Sequence, residues 1–320
     1  MLGAITCVGL AGALTTKTAL AAPSSTSPEN GYDLGEVENP RALAMGGALN
    51  ALGTSTAALY LNPANLPVAR VYHFEALAAF SPEARRQSYG GSVVDSSTSR
   101  VAGGVSGTWN QMDPDGIDRS WTDVRLVLAY PISDRVFVGA TGRYLRLSQA
   151  VASGPLGSST VSDGTPGAVI ANQFTFDAGV TVVPVDGLRI GLVGHNLTNP
   201  GTGLAPTTLA GGIGYTSGDV SLEADLLGDF TTWDRARPRA MLGGELFLAD
   251  HFPVRLGYRY DDGLRTHAVS GGLGYVDPRW SFEVSVRRDV AGEQPATMLS
   301  ASIRYFYDTM ETHTDEPDTF

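Results

Sequence analysis

From Val71 to near the end of the chain, hydrophobic and polar residues alternate with a period of two. This pattern is typical of β-strands, whose successive side chains point to opposite faces of a sheet. It divides into fourteen runs, most of about 9 to 11 residues, the length that a tilted strand needs to cross a bilayer. The predicted strands cover residues 71–80, 87–95, 100–110, 121–130, 135–147, 172–183, 187–196, 207–216, 219–228, 238–249, 253–260, 266–276, 279–288 and 296–308.

The connections between these runs alternate in length. Tight turns are predicted at residues 131–134, 184–187, 217–219, 249–252 and 276–279. Long connections are predicted at residues 111–120, 150–171, 196–206, 229–238 and 288–295. A soluble β-sandwich also has alternating strands, but short turns on one side and long loops on the other are typical of an outer-membrane barrel. The pattern therefore predicts an all-β fold, a 14-stranded antiparallel transmembrane β-barrel.

The two faces of the predicted strands differ in polarity. In the strand 121–130, for example, Val124 and Leu126 share one face and Asp123 and Arg125 share the other. One face suits lipid and the other suits a polar lumen. The predicted lumen-facing polar residues are Asp123, Arg125, Arg143, Glu223, Asp225, Glu245, Arg255, Arg259, Glu283 and Arg304. Their mixed charges favour pairing across strands over a substrate-selecting ring, although both roles stay open.

The first 21 residues read as a secretory signal peptide, with an apolar run that ends in a small-residue cleavage pattern. The leader contains both Cys7, the only cysteine, and Lys17, the only lysine. The remaining chain has 21 arginines against 33 acidic residues, a net charge of −12. This balance argues against nucleic acid as a partner. No later stretch has 18 consecutive apolar residues, which excludes membrane-spanning helices after the leader.

The segment 45–67 does not fit the strand pattern. It is small, apolar and nearly uncharged, but the pair Gly46 and Gly47 interrupts it, and each interior glycine costs a helix about 1 kcal/mol. The pair Asn62 and Pro63 then favours a turn into the first strand.

This segment resembles the N-terminal signature of the FadL-like and PorV-like outer-membrane proteins, which precedes their first strand. The matching residues are Arg41, Ala44, Met45, Gly46, Gly47, Ala48, Ala51, Ala57, Tyr60, Asn62, Pro63, Ala64 and Leu66. Residues 191–201 and 254–260 also resemble segments common in PorV-like chains, and the likeness covers roughly 40–308. The chain departs from the motif at Asn65, where these proteins usually have glycine.

The resemblance implies a fourteen-stranded barrel with the N-terminal segment folded inside it as a hatch. The expected organisation is a signal peptide at 1–21, a periplasmic or hatch segment at 22–70, a barrel at 71–308 and an acidic periplasmic tail at 309–320. Small residues such as Gly46, Gly47 and Ala64 suit a plug that lies against strand backbone. An amphipathic helix that caps the periplasmic mouth is the alternative.

Two functions fit this organisation. A FadL-like transporter would admit hydrophobic, fatty-acid-like molecules across the outer membrane of a Gram-negative bacterium, and Gly103 and Gly104 could break a strand to open the wall sideways to lipid. A PorV-like barrel would instead serve as a docking or assembly component of a secretion or motility machine, with envelope proteins as its partners. Either protein would contact outer-membrane lipid and lipopolysaccharide.

Catalytic and metal-binding patterns are sparse. His267 and Ser270 are the nearest approach to a base and nucleophile, but their spacing puts them on opposite faces of a strand. We therefore predict neither an enzyme nor a cofactor. Asp113, Asp115 and Asp118 surround a glycine as in some calcium loops, but they lack the terminal glutamate, and a solvated turn explains them better.

The C-terminus offers two candidate signals for barrel insertion. Phe320 is the final residue, but residues 308–320 carry five carboxylates and no apolar alternation. The alternation stops at Tyr305 and Tyr307. We therefore expect Tyr307 to act as the terminal aromatic and the acidic tail to hang free; the alternative is that the tail folds back and Phe320 is recognised.

Overall fold

A computed structural model of the protein describes residues 39–112, 119–149, 168–200, 205–233, 235–292 and 295–307. Fourteen strands follow three short helices. The strands are β1 (Tyr72–Ser81), β2 (Arg86–Asp95), β3 (Ala102–Met112), β4 (Arg119–Ser133), β5 (Val136–Gln149), β6 (Ala168–Val185), β7 (Leu188–His195), β8 (Thr208–Ser217), β9 (Val220–Asp229), β10 (Arg237–Leu248), β11 (Phe252–Asp261), β12 (Thr266–Val276), β13 (Trp280–Ala291) and β14 (Thr297–Phe306). Each corresponds to one predicted run.

The strands form one closed antiparallel barrel in which each pairs with its neighbours in the sequence. The ladder between β1 and β14 closes the cylinder and places Glu75 opposite Arg304. The predicted fourteen-stranded barrel is therefore confirmed. We call the end of the barrel that carries the tight turns the short-turn end and the opposite end the long-loop end. The first residue of β1, Tyr72, and the last residue of β14, Phe306, both lie at the short-turn end.

The outward face of the barrel is apolar and the inward face is largely polar. In β13, for instance, Phe282, Val284 and Val286 are exposed, whereas Glu283 and Ser285 between them are buried. A soluble sandwich would bury the apolar face, so the orientation is that of a barrel surrounded by lipid. Closure also leaves no sheet edge whose backbone groups would be unsatisfied in hydrocarbon.

Aromatic side chains gather where β14 meets its neighbours at the short-turn end. The rings of Trp280 and Tyr305 lie 4.8 Å apart between centroids, and those of Tyr72 and Tyr307 lie 5.6 Å apart. Such a girdle suits the boundary between hydrocarbon and headgroups. The proposed roles of Tyr307 and the tail as insertion signals stay predictions, because residues 308–320 lie outside the described part of the chain.

The segment before β1 lies inside the barrel. It contains helix α1 (Pro40–Ala44), helix α2 (Thr56–Tyr60) and a 3₁₀ helix (Pro63–Val68). Helix α1 contacts β11 to β14, and the 3₁₀ helix contacts β3 to β6. We call residues 39–68 the hatch. In the part of the chain that the structure describes, no helix is long and apolar enough to cross a membrane.

Candidate functional site

Local sequence explains why helix α1 is short. The Asn39 side chain caps its first turn by accepting hydrogen bonds from the amides of Arg41 and Ala42, and Pro40 occupies the first helical position. The helix ends at Ala44, and the chain then turns at Gly46 and Gly47, whose φ angles are +68° and +90°. Glycine adopts this left-handed backbone without strain, so the chain can turn sharply within the lumen.

Glycines of the barrel wall let the hatch backbone lie directly on the strands. A Cβ atom at Gly243 of β10 would lie 2.7 Å from the Met45 carbonyl oxygen. One at Gly257 of β11 would overlap the backbone of Met45 and Gly46. At Gly46 itself, a Cβ would approach the Tyr258 carbonyl oxygen to 2.7 Å. Side chains at these positions would hold the hatch away from the wall.

A network of buried ion pairs anchors the first part of the hatch. Arg41 binds Glu245 with two hydrogen bonds of 2.8 and 3.1 Å, and Arg255 also donates to Glu245. Arg255 and Arg304 both donate to Glu283, at 2.7 and 2.6 Å, and Arg304 further binds Glu75. Removing Glu245 would leave Arg41 without its carboxylate partner, which is destabilising for a buried charge.

Glu245 also determines how the one arginine of the hatch is held. Burial is the largest single influence and would lower the pKa of Arg41, but the charge of Glu245, its hydrogen bonds and the charge of Glu283 together raise that pKa. Arg41 therefore stays charged, and its charge-assisted contact links the hatch to β10.

A second anchor uses main-chain amides of the hatch and no arginine. The amides of Ala51 and Leu52 donate to the two carboxylate oxygens of Glu223, at 2.5 and 2.9 Å. The main-chain and side-chain nitrogens of Asn50 donate to Asp225, at 2.9 and 2.8 Å. Both acceptors come from β9, and both are buried.

A third anchor lies at the Asn-Pro turn. Asn62 caps the 3₁₀ helix through the Ala64 amide, and its side-chain nitrogen donates to the Asn50 carbonyl and the Thr181 hydroxyl. The Asn65 side chain donates to the same carbonyl at 3.0 Å. The residue that departs from the family motif therefore has a structural role here, as a second amide that ties the turn to Asn50.

The opposite wall of the lumen carries a second charged cluster. Asp123 accepts hydrogen bonds from both Arg125 and Arg143, and Arg143 also donates to Asn196 at 3.0 Å. Arg125 contacts the hatch by donating to the Tyr60 carbonyl, and its guanidinium lies 5.1 Å from the centroid of the Tyr60 ring. All ten residues predicted to face the lumen lie buried on the inward face, and nine of them have pairings described here.

An apolar cluster occupies the long-loop half of the lumen. Met112, Trp121, Leu145 and Leu147 point inward from β3, β4 and β5, and Ala84 and Ala205 from two loops cover them. The Arg86 guanidinium lies 5.5 Å from the centroid of the Trp121 ring. Sequence reasoning missed this cluster, although Leu145 and Leu147 share the alternation phase of inward Arg143, which was a usable signal.

Two of the predicted sites, the lateral opening and the calcium loop, stay predictions. Gly103 and Gly104 lie in β3, which pairs in continuous register with both β2 and β4, so a lateral opening there stays a prediction. Asp113, Asp115 and Asp118 lie outside the described residues. Within the described ranges, no group of three His, Cys, Asp or Glu side chains could hold a metal ion.

The fold and the hatch together define a class: a fourteen-stranded transmembrane barrel whose N-terminal segment folds into the lumen. Several solved structures resemble the fold of the chain over most of its length. A monoaromatic hydrocarbon channel, CymD, has 15% identity and a TM-score of 0.66, and the match covers 87% of this chain and 98% of that one. The Ralstonia pickettii toluene transporter TbuX has 16% identity and a TM-score of 0.61 over 86% and 98%.

A FadL homologue from Pseudomonas aeruginosa has 13% identity and a TM-score of 0.59 over 84% of this chain and 98% of its own. The suspected similarity to FadL-like barrels is thus confirmed at the level of the fold. No model of a known protein family matches the chain, and no curated protein sequence matches it either.

Proposed function

We propose that this protein sits in the outer membrane of a Gram-negative bacterium and admits small hydrophobic molecules towards the periplasm. The observation that carries the proposal is the apolar cluster of Met112, Trp121, Leu145 and Leu147 in the long-loop half of the lumen. Sites for hydrophobic ligands are lined mainly by apolar side chains, with a few polar groups at their edge. The solved structures with the same fold include hydrocarbon channels and toluene transporters, which supports this class of substrate.

The cluster lies between the outer loops and the charged cluster around Asp123. The side chain of Asn110 donates to the Trp121 carbonyl at the inner edge of the cluster. A hydrophobic molecule that enters from the long-loop end would therefore reach Trp121 before it meets the polar middle of the lumen. Passage further inward requires the hatch to move, because the hatch fills the short-turn half.

Uptake of radiolabelled toluene and of a radiolabelled long-chain fatty acid, in a host strain that lacks such a channel, tests the proposal. Leu145→Gln and Leu147→Gln make the cluster polar without adding charge, and we expect either to reduce uptake about tenfold, as a loss of roughly 1.4 kcal/mol in binding would. Leu77→Gln is the matched control, since Leu77 is a buried, inward-facing leucine outside the cluster. Equal uptake by all three variants and the wild type would contradict the proposal.

Comparing the uptake of toluene with the uptake of the fatty acid distinguishes two substrate ranges. Uptake of toluene alone indicates a channel for small hydrocarbons, and uptake of both indicates a broader, fatty-acid-like range. The wild-type protein must raise uptake of at least one substrate above an empty-vector strain for the transport proposal to stand.

A second candidate is a PorV-like docking or assembly barrel that transports nothing. A sealed lumen would favour it, and the three separate anchors that hold the hatch in place support such a seal. Envelope proteins would then bind at the loops or turns. Chemical cross-linking in whole cells, followed by purification of the tagged barrel, should give a defined partner together with no measurable uptake if this candidate is correct.

A further inference from the structure

The contacts at residues 50–52 differ from the other two anchors of the hatch. Arg41 is held by a guanidinium-to-carboxylate pair and Asn62 by side-chain amides, whereas Ala51 and Leu52 bind Glu223 through main-chain N–H groups alone. Ala51 and Leu52 belong to none of the three helices of the hatch. Water can replace such bonds one at a time, so this anchor is the one that the hatch can release most readily.

Glu223 has a second potential partner on the same row of the sheet. Arg189 of β7 pairs with Gly214 of β8, and Gly214 in turn pairs with Glu223 of β9. Ile190 and Leu192 face outward, so Arg189 faces the lumen. Arg189 makes no hydrogen bond or ion pair with any of the described residues, although it lies close enough for the charge of Glu223 to affect it.

Leu52 separates the two charged groups. Gly214 has no side chain, and a Cβ atom placed there would overlap the Leu52 side chain, which therefore lies over the glycine. Two strand spacings, about 10 Å, separate the Cα atoms of Arg189 and Glu223. Extended arginine and glutamate side chains can span that distance once Leu52 has left.

We infer that Glu223 exchanges partners when the hatch opens. In the closed state it accepts hydrogen bonds from Ala51 and Leu52; in the open state it binds the Arg189 guanidinium across Gly214. Without Arg189, Glu223 would exchange its two amide donors for water, and no charge-assisted contact would compensate for their loss, which opposes opening. Arg189 is thus a positioning residue for the open state, and the inference rests on the proposed function only in treating the hatch as a gate.

The other charged groups near Glu223 are already committed. Arg41 binds Glu245, and Asp225, whose carboxyl group interacts with that of Glu223, is an acid that accepts hydrogen bonds from Asn50. Arg189 is therefore the cation on this side of the lumen that can bind Glu223. Its binding would break no ion pair seen among the described residues.

The exposure of a single thiol measures release directly. Cys7 is the only cysteine of the chain and precedes the predicted cleavage site, so Ala51→Cys gives the mature protein one buried reporter. We would follow its labelling by a water-soluble maleimide in purified, micelle-embedded barrel. Adding Arg189→Met should slow labelling about five- to tenfold, the loss expected for one charge-assisted contact, and adding Arg189→Lys should restore most of the rate.

Arg135→Met is the matched control, since Arg135 lies on an exposed turn at the same end of the barrel. It should leave the labelling rate unchanged. Faster or unchanged labelling with Arg189→Met would overturn the inference, because it would mean that Arg189 supports the closed state or neither state. The assay contains no substrate, so its outcome is independent of whether the barrel transports hydrophobic molecules.

A disulfide gives a second readout. Leu52→Cys with Gly214→Cys places two thiols at the contact between hatch and wall, and oxidation should lock the hatch there. A third thiol, introduced by Ala48→Cys, then serves as the reporter for labelling. In the locked protein, the labelling rate should be the same whether position 189 keeps its arginine or carries the Arg189→Met change. A difference that persists in the locked protein would show that Arg189 acts elsewhere.

Discussion

Replacing Gly257 by valine should displace the hatch and leave the barrel intact. Gly257 lies at the middle of β11, where the turn after helix α1 rests on the strand. A Cβ atom there would overlap the backbone of Met45 and Gly46 and would lie 2.5 Å from the Ser270 hydroxyl oxygen. That hydroxyl donates to the Ala44 carbonyl at 2.9 Å, so the new side chain would disturb two contacts of the same turn.

The size of the effect follows from what the clash involves. Overpacking in a well-packed interior typically costs about 1–3 kcal/mol. Here the neighbours are backbone atoms, which cannot rotate away as the end of a flexible side chain can, so we expect a cost of about 3 kcal/mol, at the top of that range. That energy shifts the ratio of docked to undocked hatch by about 100-fold. Strand pairing has no such obstacle, since valine is a favourable residue in strands.

Single-channel recording in planar bilayers measures the consequence. The wild-type protein should show low conductance with rare openings, and Gly257→Val should open far more often and to a higher level. Migration of unheated and boiled samples on an SDS gel would establish that the barrel still forms. Gly107→Val is the control, because a Cβ atom at Gly107 meets nothing within 4 Å.

Two results would refute this reasoning. Conductance equal to the wild type, in a variant that still shows heat-modifiable migration, would mean that the hatch tolerates the clash or does not close the lumen. An equal rise in the Gly107→Val variant would mean that any valine in a strand loosens the barrel.

Three further predictions concern larger parts of the chain. Deleting residues 38–66 should raise conductance and antibiotic sensitivity, measured in planar bilayers and by growth inhibition; unchanged values would count against a plugging hatch. The native protein should fractionate with the outer membrane, and unheated and boiled samples should migrate differently on an SDS gel. Recovery of the protein from the soluble periplasmic fraction would contradict the prediction that the barrel lies in the membrane. Truncation after Asp308 should leave assembly intact, whereas Tyr305→Asp combined with Tyr307→Asp should abolish it, since charge on the lipid-facing side is unfavourable; the reverse pattern would show that Phe320 carries the signal.

The barrel could be predicted from the sequence because strand alternation is a local property. Whether Phe282 and Glu283 point to opposite faces depends only on their being neighbours in a strand, so the pattern indicated all fourteen strands and their faces. One difference in the bounds is at β6, which begins at Ala168 where the sequence predicted residue 172. The hatch was recognised from its resemblance to FadL-like segments, and its glycines were a further local signal.

The partners of the lumen residues could not be predicted in the same way. Glu223, Glu245 and Glu283 all read as inward carboxylates in the sequence, yet Glu245 and Glu283 bind arginines and Glu223 binds main-chain amides of the hatch. Nothing in the sequence connected Arg189 with Glu223. That relation depends on the register of three strands and on Leu52 lying over Gly214.

The sequence by itself thus determined which residues form strands and which face of each strand is apolar. It also indicated that the hatch segment, with its small residues and glycines, does not form a strand. Only the tertiary structure decided where the hatch is anchored and that Trp121 and Leu145 meet in one apolar cluster. The reason is physical: alternation is set by backbone geometry between neighbours, whereas a contact across the lumen requires the closed barrel to bring together residues from distant strands.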